Sequence, residues 1–193
     1  MKKLFLIFFA QSLYMSMIFS CELPPYDAII NLGGDCQVAY QMQINGLRKC
    51  ALPFDKLIAP FSSLQKLLEE RFEGYMDPDN FELVDDGKEK YILDKKYATR
   101  LIHDFKLEED FLKDLESIKQ TYIRRIDRLF ALLRESENPL IIRKIINKEQ
   151  AIALKKILDI IRPGKPFTIV ALDGTEEIKT NWDLEEKFNL KAK

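Results

Sequence analysis

Apolar positions along the chain change period repeatedly, and the changes divide it into alternating strands and helices. Asp27 to Leu32 is a short apolar run closed by Gly33 and Gly34, which predicts a buried strand ending in a tight turn. Asp35 to Ile44 reads as a helix, with Asn45 and Gly46 as its stop. After the turn-rich piece around Pro53 and Pro60, Phe61, Leu64, Leu67, Leu68 and Phe72 recur at helical spacing, and Asp77 and Pro78 mark the next turn. Tyr91 to Leu93 and Tyr97 to His103 are rich in aromatic and branched residues and predict a hairpin through Asp94, Lys95 and Lys96. Phe111, Leu115, Ile118, Tyr122, Ile126, Leu129 and Leu133 recur every three or four positions, predicting one long amphipathic helix over 108 to 135. Leu140 to Ile146 is a further strand, leading through Asn147 as N-cap into a helix from Lys148 to Ile161. Pro163, Gly164 and Pro166 break the chain before a last buried strand, Phe167 to Leu172, closed by Asp173 and Gly174.

Strands alternating with helices imply an α/β fold: a mostly parallel sheet with helices on both faces, plus a β-hairpin. Residues 26 to 193 fit a single domain of this kind. The first residues stand apart from it. Lys2 and Lys3 precede an apolar stretch from Leu4 to Phe19, followed by Ser20 and Cys21, and residues 1 to 20 read as a signal segment. The expected location is therefore exported: periplasmic, secreted, or lipid-anchored at Cys21, with membrane contact only through the signal segment or that lipid. Export permits disulfides, and Cys36 with Cys50 is the pair available.

Charge narrows the range of functions. Thirty basic residues against thirty-one acidic give a net charge of -1, so no nucleic-acid surface is expected. The chain has one histidine and no paired-cysteine spacing, which falls short of a zinc ligand set, and no cofactor is expected. Arg124, Arg125 and Arg128 read as a solvated helix face.

In parallel sheets ligands bind beyond the carboxyl ends of the strands, which puts Gly33 to Cys36, His103, Asn147 and Asp173 in view. Cys36 falls in the first turn of a helix, where free N–H groups and the helix dipole favour a thiolate. A Cys/His pair must use His103. On an alternating strand His103 shares a face with Thr99 and Leu101, whereas Asp104 points away. Asn147 or Asp173 could orient the imidazole, although Asn147 also suits a helix cap and Asp173 a turn beside Gly174.

LGGDCQVAYQ at 32 to 41, GLRKCALPFDKLIAP at 46 to 60 and RLIHDF at 100 to 105 resemble a bacterial family of uncharacterised proteins classed as papain-like cysteine peptidases. RRIDRLFALL at 124 to 133 and LIIR at 140 to 143 continue the likeness. The resemblance implies Cys36 as nucleophile, His103 as its base and Asp55 as a site-shaping residue. Lys56 departs from the tryptophan common in the family after Phe-Asp. Papain-type enzymes set their cysteine on a helix packed against a separate antiparallel barrel, whereas the element order here sets it after the first strand of a mostly parallel sheet.

The expected function is a cysteine hydrolase acting on a peptide or other acyl substrate, with Gly33, Gly34, Asp35, Gln37 and Asp55 around the substrate and backbone N–H groups near Gly34 to Gln37 at the oxyanion. Two alternatives accompany it. Gly34-Asp35-Cys36 imitates the Gly-Asp-Ser block of SGNH esterases, without their late Asp-x-x-His element. A non-catalytic exported binding domain would leave His103 as a packed strand residue. The spaced glycines of a dinucleotide site are absent.

Overall fold

The structure, a computed structural model, describes residues 26–106 and 112–174. The expected signal segment and Cys21 lie outside the described residues.

Three parallel strands form the central sheet: β1 (Ala28–Asn31), β6 (Pro139–Lys144) and β7 (Thr168–Leu172), in the order β1-β6-β7. All six residues of β6 are buried, as a middle strand covered on both faces requires. The covering follows from the two-residue period of the strands. Ile29, Leu140, Ile142, Val170 and Leu172 meet Val38 and Met42 of α1 (Gln37–Ile44) on one face. Ala28, Ile30 and Ile141 belong to the larger core, with Leu129 and Leu133 of α3 (Leu115–Glu135) and Leu154 and Leu158 of α4 (Lys148–Ile161). The remaining helix, α2 (Phe61–Glu69), adds Leu64, Leu67 and Leu68 to that core. The expected parallel sheet with helices on both faces is thus present, but smaller than the expectation.

The correction concerns the rest of the strands. Between α1 and α3 the chain builds a second, antiparallel sheet from β2 (Leu57–Ile58), β3 (Phe81–Asp85), β4 (Lys90–Asp94) and β5 (Thr99–Leu101), in the order β2-β5-β4-β3. The expected hairpin is its β4–β5 pair, in which Asp94 pairs with Thr99 and accepts the Tyr97 N–H at 3.1 Å. β3 escapes a hydrophobicity reading because it is an edge strand with no buried residue, and β2 because it has two residues. Strand β5 stops at Leu101, two residues short of His103. Helix α3 starts at Leu115 rather than 108, after a turn at Leu112–Asp114, and residues 107 to 111 are outside the described set.

Among the described residues no helix is long and apolar enough to cross a membrane.

Candidate active site

The turn between β1 and α1 carries the sequence Leu32-Gly33-Gly34-Asp35-Cys36 over the carboxyl end of β6. Both glycines are required by their surroundings. Gly33 sits at φ +79°, where a Cβ would lie 3.1 Å from the Phe54 Cβ. Gly34 sits at φ +110°, where a Cβ would overlap the Lys144 carbonyl, coming within 2.8 Å of its carbon. The turn is stitched to β6 by the Lys144 N–H donating to Gly33 O at 3.0 Å and the Leu32 N–H donating to Ile142 O at 2.9 Å. Cys36 then occupies the N-cap of α1, half-buried, and Asp35 accepts the Gln37 N–H at 3.0 Å.

Two basic residues lie beneath this turn, and neither is evident from the sequence pattern. Arg143 is fully buried and donates to Leu32 O at 2.8 Å and to Ala59 O at 2.6 Å; burial pulls its pKa down to about 10. Lys144, 4% exposed, donates from Nζ to Asp35 Oδ2 at 3.0 Å and to Gln37 Oε1. Their signal was the pair of bases inside the apolar run LIIRKII, because bases buried in a central strand require partners.

A second network braces the turn from the side. The buried Asp55 carboxylate accepts from Asn31 Nδ2 at 3.1 Å, Arg48 Nε at 2.9 Å and the Leu52 N–H at 2.9 Å. Asn31, fully buried, in turn accepts the Gly33 N–H at 2.7 Å. Asp55 therefore shapes the turn before the cysteine. With Gly33, Gly34 and Gln37 it is buried, leaving Asp35 and Cys36 as the half-buried positions.

The family described as "Putative papain-like cysteine peptidase (DUF1796)" matches residues 27–170, the span that contains this turn, the antiparallel sheet and all of the parallel sheet but the last two residues of β7. The chain belongs to that family. It is also similar to an uncharacterized protein of Acanthamoeba polyphaga mimivirus, 28% identical over 155 residues that cover 68% of this chain and 69% of the viral protein. No solved structure matches.

The surroundings of the thiol disfavour its charged form. Burial pushes the Cys36 pKa up, and the neighbouring Asp35 carboxylate adds to the rise; the Cys36 backbone N–H and Lys144 pull the other way, and Glu89 adds a further upward push. The helix N-terminal N–H lowers it as expected, but burial and Asp35 outweigh that effect. The Cys36–Cys50 pairing that export would permit is not formed: both are free thiols, and Cys50 packs against the main core.

His103 is exposed on the loop after β5, not on a strand face, and no hydrogen bond joins it to Cys36 among the described residues. Its neighbour Asp104 is anchored instead, accepting from Tyr122 OH at 2.7 Å and Lys56 Nζ at 3.2 Å, with Arg125 Nη1 at 3.9 Å. Lys56, the departure from the family pattern, thus holds the histidine loop. Arg125 is partly buried and stacked on Tyr122, whereas Arg124 and Arg128 are exposed, Arg128 donating to Ala51 O at 2.6 Å. Asn147 caps α4: it accepts the Gln150 N–H at 2.9 Å, and Gln150 Oε1 accepts the Asn147 N–H at 3.1 Å. Asp173 follows β7 at the same carboxyl edge of the parallel sheet. No group of three or more His, Cys, Asp or Glu side chains suited to a metal ion occurs among the described residues.

Proposed function

We propose that the chain is an exported cysteine hydrolase in which Cys36 attacks the acyl carbon of a peptide or other acyl substrate. The proton leaves Sγ for the His103 imidazole as the C–S bond forms, and the imidazole returns it to the leaving amine or alcohol as the scissile C–N or C–O bond breaks. Water, deprotonated by the same imidazole, then cleaves the thioester and regenerates the thiol. Backbone N–H groups from Gly34 to Gln37 are the oxyanion donors, and Asp173, beyond β7 at the carboxyl edge of the parallel sheet, is the candidate orienter of the imidazole. Because burial and Asp35 disfavour the thiolate, the attack depends on the base.

The observation that carries this reading is the chain of contacts between the two loops. Lys56 holds Asp104 beside His103, and Asp55 beside Lys56 reaches Asn31, which fixes the Gly33 N–H three residues before Cys36. Family membership adds to it.

The test is turnover of a fluorogenic peptide library and a nitrophenyl ester set by the full chain, Cys36→Ala and His103→Ala. Cys36→Ala should fall to background, and His103→Ala should lose about 100-fold or more. Ester turnover without peptide turnover favours the esterase alternative.

One finding favours a second reading, a non-catalytic binding domain: the thiol is pushed up and makes no hydrogen bond to His103. No turnover in the parent would leave that reading in place, whereas full turnover in Cys36→Ala would overturn Cys36 as the nucleophile.

A further inference from the structure

Lys144 touches nearly every residue flanking Cys36. Its N–H donates to Gly33 O at 3.0 Å, its carbonyl fills the space that only a glycine at 34 leaves, and its Nζ donates to Asp35 Oδ2 at 3.0 Å and to Gln37 Oε1. The next residue, Ile145, is held at φ +58°, a conformation that a β-branched side chain seldom takes. A buried lysine and a strained isoleucine at the end of the central strand are two unfavourable features meeting at one point. Strain of this kind gathers at functional sites. A methionine of similar volume would serve packing alone.

The charges around Cys36 explain what the ammonium adds. Asp35 on the turn itself and Glu89 on the β3–β4 turn are both acidic, and Lys144 on β6 is the cation set against them. Arg143 is directed to the Leu32 and Ala59 carbonyls instead.

We propose that Lys144 is the positioning cation of the nucleophile turn: it fixes Gly33 to Gln37 on the end of β6 and supplies the positive charge beside which the Cys36 thiolate forms. The assignment rests on Cys36 being the nucleophile of the proposed hydrolase. Lys144 acts through the turn and does not touch substrate. Asp35 tempers it by sharing the ammonium.

The test follows the rate of iodoacetamide alkylation of Cys36 against pH by mass spectrometry, on the full chain, with Cys50 as internal comparison. Lys144→Met should shift the Cys36 profile to higher pH and lower its rate at pH 7.5 about tenfold, which corresponds to one pKa unit. The Cys50 profile should stay where it is. Lys144→Arg should restore most of the rate, and Asp35→Asn should shift the profile to lower pH. A urea transition recorded on each variant confirms that it is folded.

An unchanged Cys36 profile in folded Lys144→Met overturns the assignment. Where Lys144→Met does not fold, Asp35→Asn decides: a profile that stays put or moves to higher pH overturns it equally. Alkylation needs no turnover, so an inactive parent with the expected shifts would sink the hydrolase reading while leaving the charge arrangement standing. An active parent with no shifts would do the opposite.

Discussion

Asn31 and Asp55 are joined side chain to side chain at 3.1 Å although 24 positions separate them in the chain. Each is buried, and each spends its remaining capacity on a turn: Asn31 on the Gly33 N–H, Asp55 on Arg48 and the Leu52 N–H. Buried polar groups are stable only when satisfied, so the pair should behave as one unit. Asp55→Ala is expected to cost about 3–5 kcal/mol, because Arg48 is left beside an empty partner site. Asn31→Ala should cost about 1–3 kcal/mol. In urea denaturation the double variant should lose clearly less than the two losses added together; simple additivity would show that the two residues act independently.

Gly34 offers a sharper contrast. Alanine there meets the Lys144 carbonyl at φ +110°, whereas Gly46 at φ +66° has nothing within 4 Å of the added methyl. Gly46→Ala carries only the left-handed backbone penalty, about 1–2 kcal/mol. Gly34→Ala adds an overlap with backbone that cannot rotate away, so it should destabilise by at least about 1 kcal/mol more and abolish any Cys36-dependent turnover. Equal urea midpoints for the two variants would mean that the turn can move off β6.

Much of this site is local, and the local part is legible in the sequence. The Gly33-Gly34 turn, the helix behind Cys36 and the Asn147 cap each follow from a few adjacent residues. What is not legible depends on partners far away in the chain. Arg143, Lys144 and Arg162 are buried bases, and charge alone reads as solvent-facing. Their partners are carbonyls or polar side chains such as Leu32 O, Ala59 O and Asp35 for the first two, and Ser136 O and Pro166 O for Arg162. The two outer strands of the antiparallel sheet are illegible for a similar reason: β2 has two residues, and the Phe81–Asp85 strand, with acids at 82 and 85, shows itself only once it pairs with Lys90–Asp94. The strand expectation for His103 failed at a boundary, since alternation at Thr99 and Leu101 persists in the sequence past the point where pairing with β2 ends.

Ile145 should be replaceable with a gain in stability. It is half exposed, at 51%, so its side chain contributes little burial, while its φ of +58° costs a β-branched residue about 1–2 kcal/mol. Asparagine accepts that conformation more readily. Ile145→Asn is expected to raise the unfolding free energy by about 1 kcal/mol. A loss of stability in urea would show that Ile145 packing against Gly174 outweighs the backbone strain.

The thiol itself makes folding stability depend on alkaline pH, with a definite sign. Burial, with Asp35 next, raises the Cys36 pKa in the folded chain above its value in the unfolded chain. Between those two values the folded state still holds a proton that the unfolded state has released, so raising the pH favours unfolding. The contribution is fully present below the ordinary thiol value of about 8.5 and declines as pH climbs from there through the higher folded value. Cys36→Ser carries no such proton. The difference in unfolding free energy between the parent and Cys36→Ser, from urea titrations at pH 7, 8, 9 and 10, should be flat up to about pH 8 and then fall for the parent, by no more than about 1.4 kcal/mol per pH unit. A difference that instead grows in the parent's favour as pH rises towards about 8.5, and is flat above it, would mean that the fold stabilises the thiolate, the behaviour first expected of a cysteine at a helix N-terminus, and that the Lys144 ammonium outweighs both burial and Asp35.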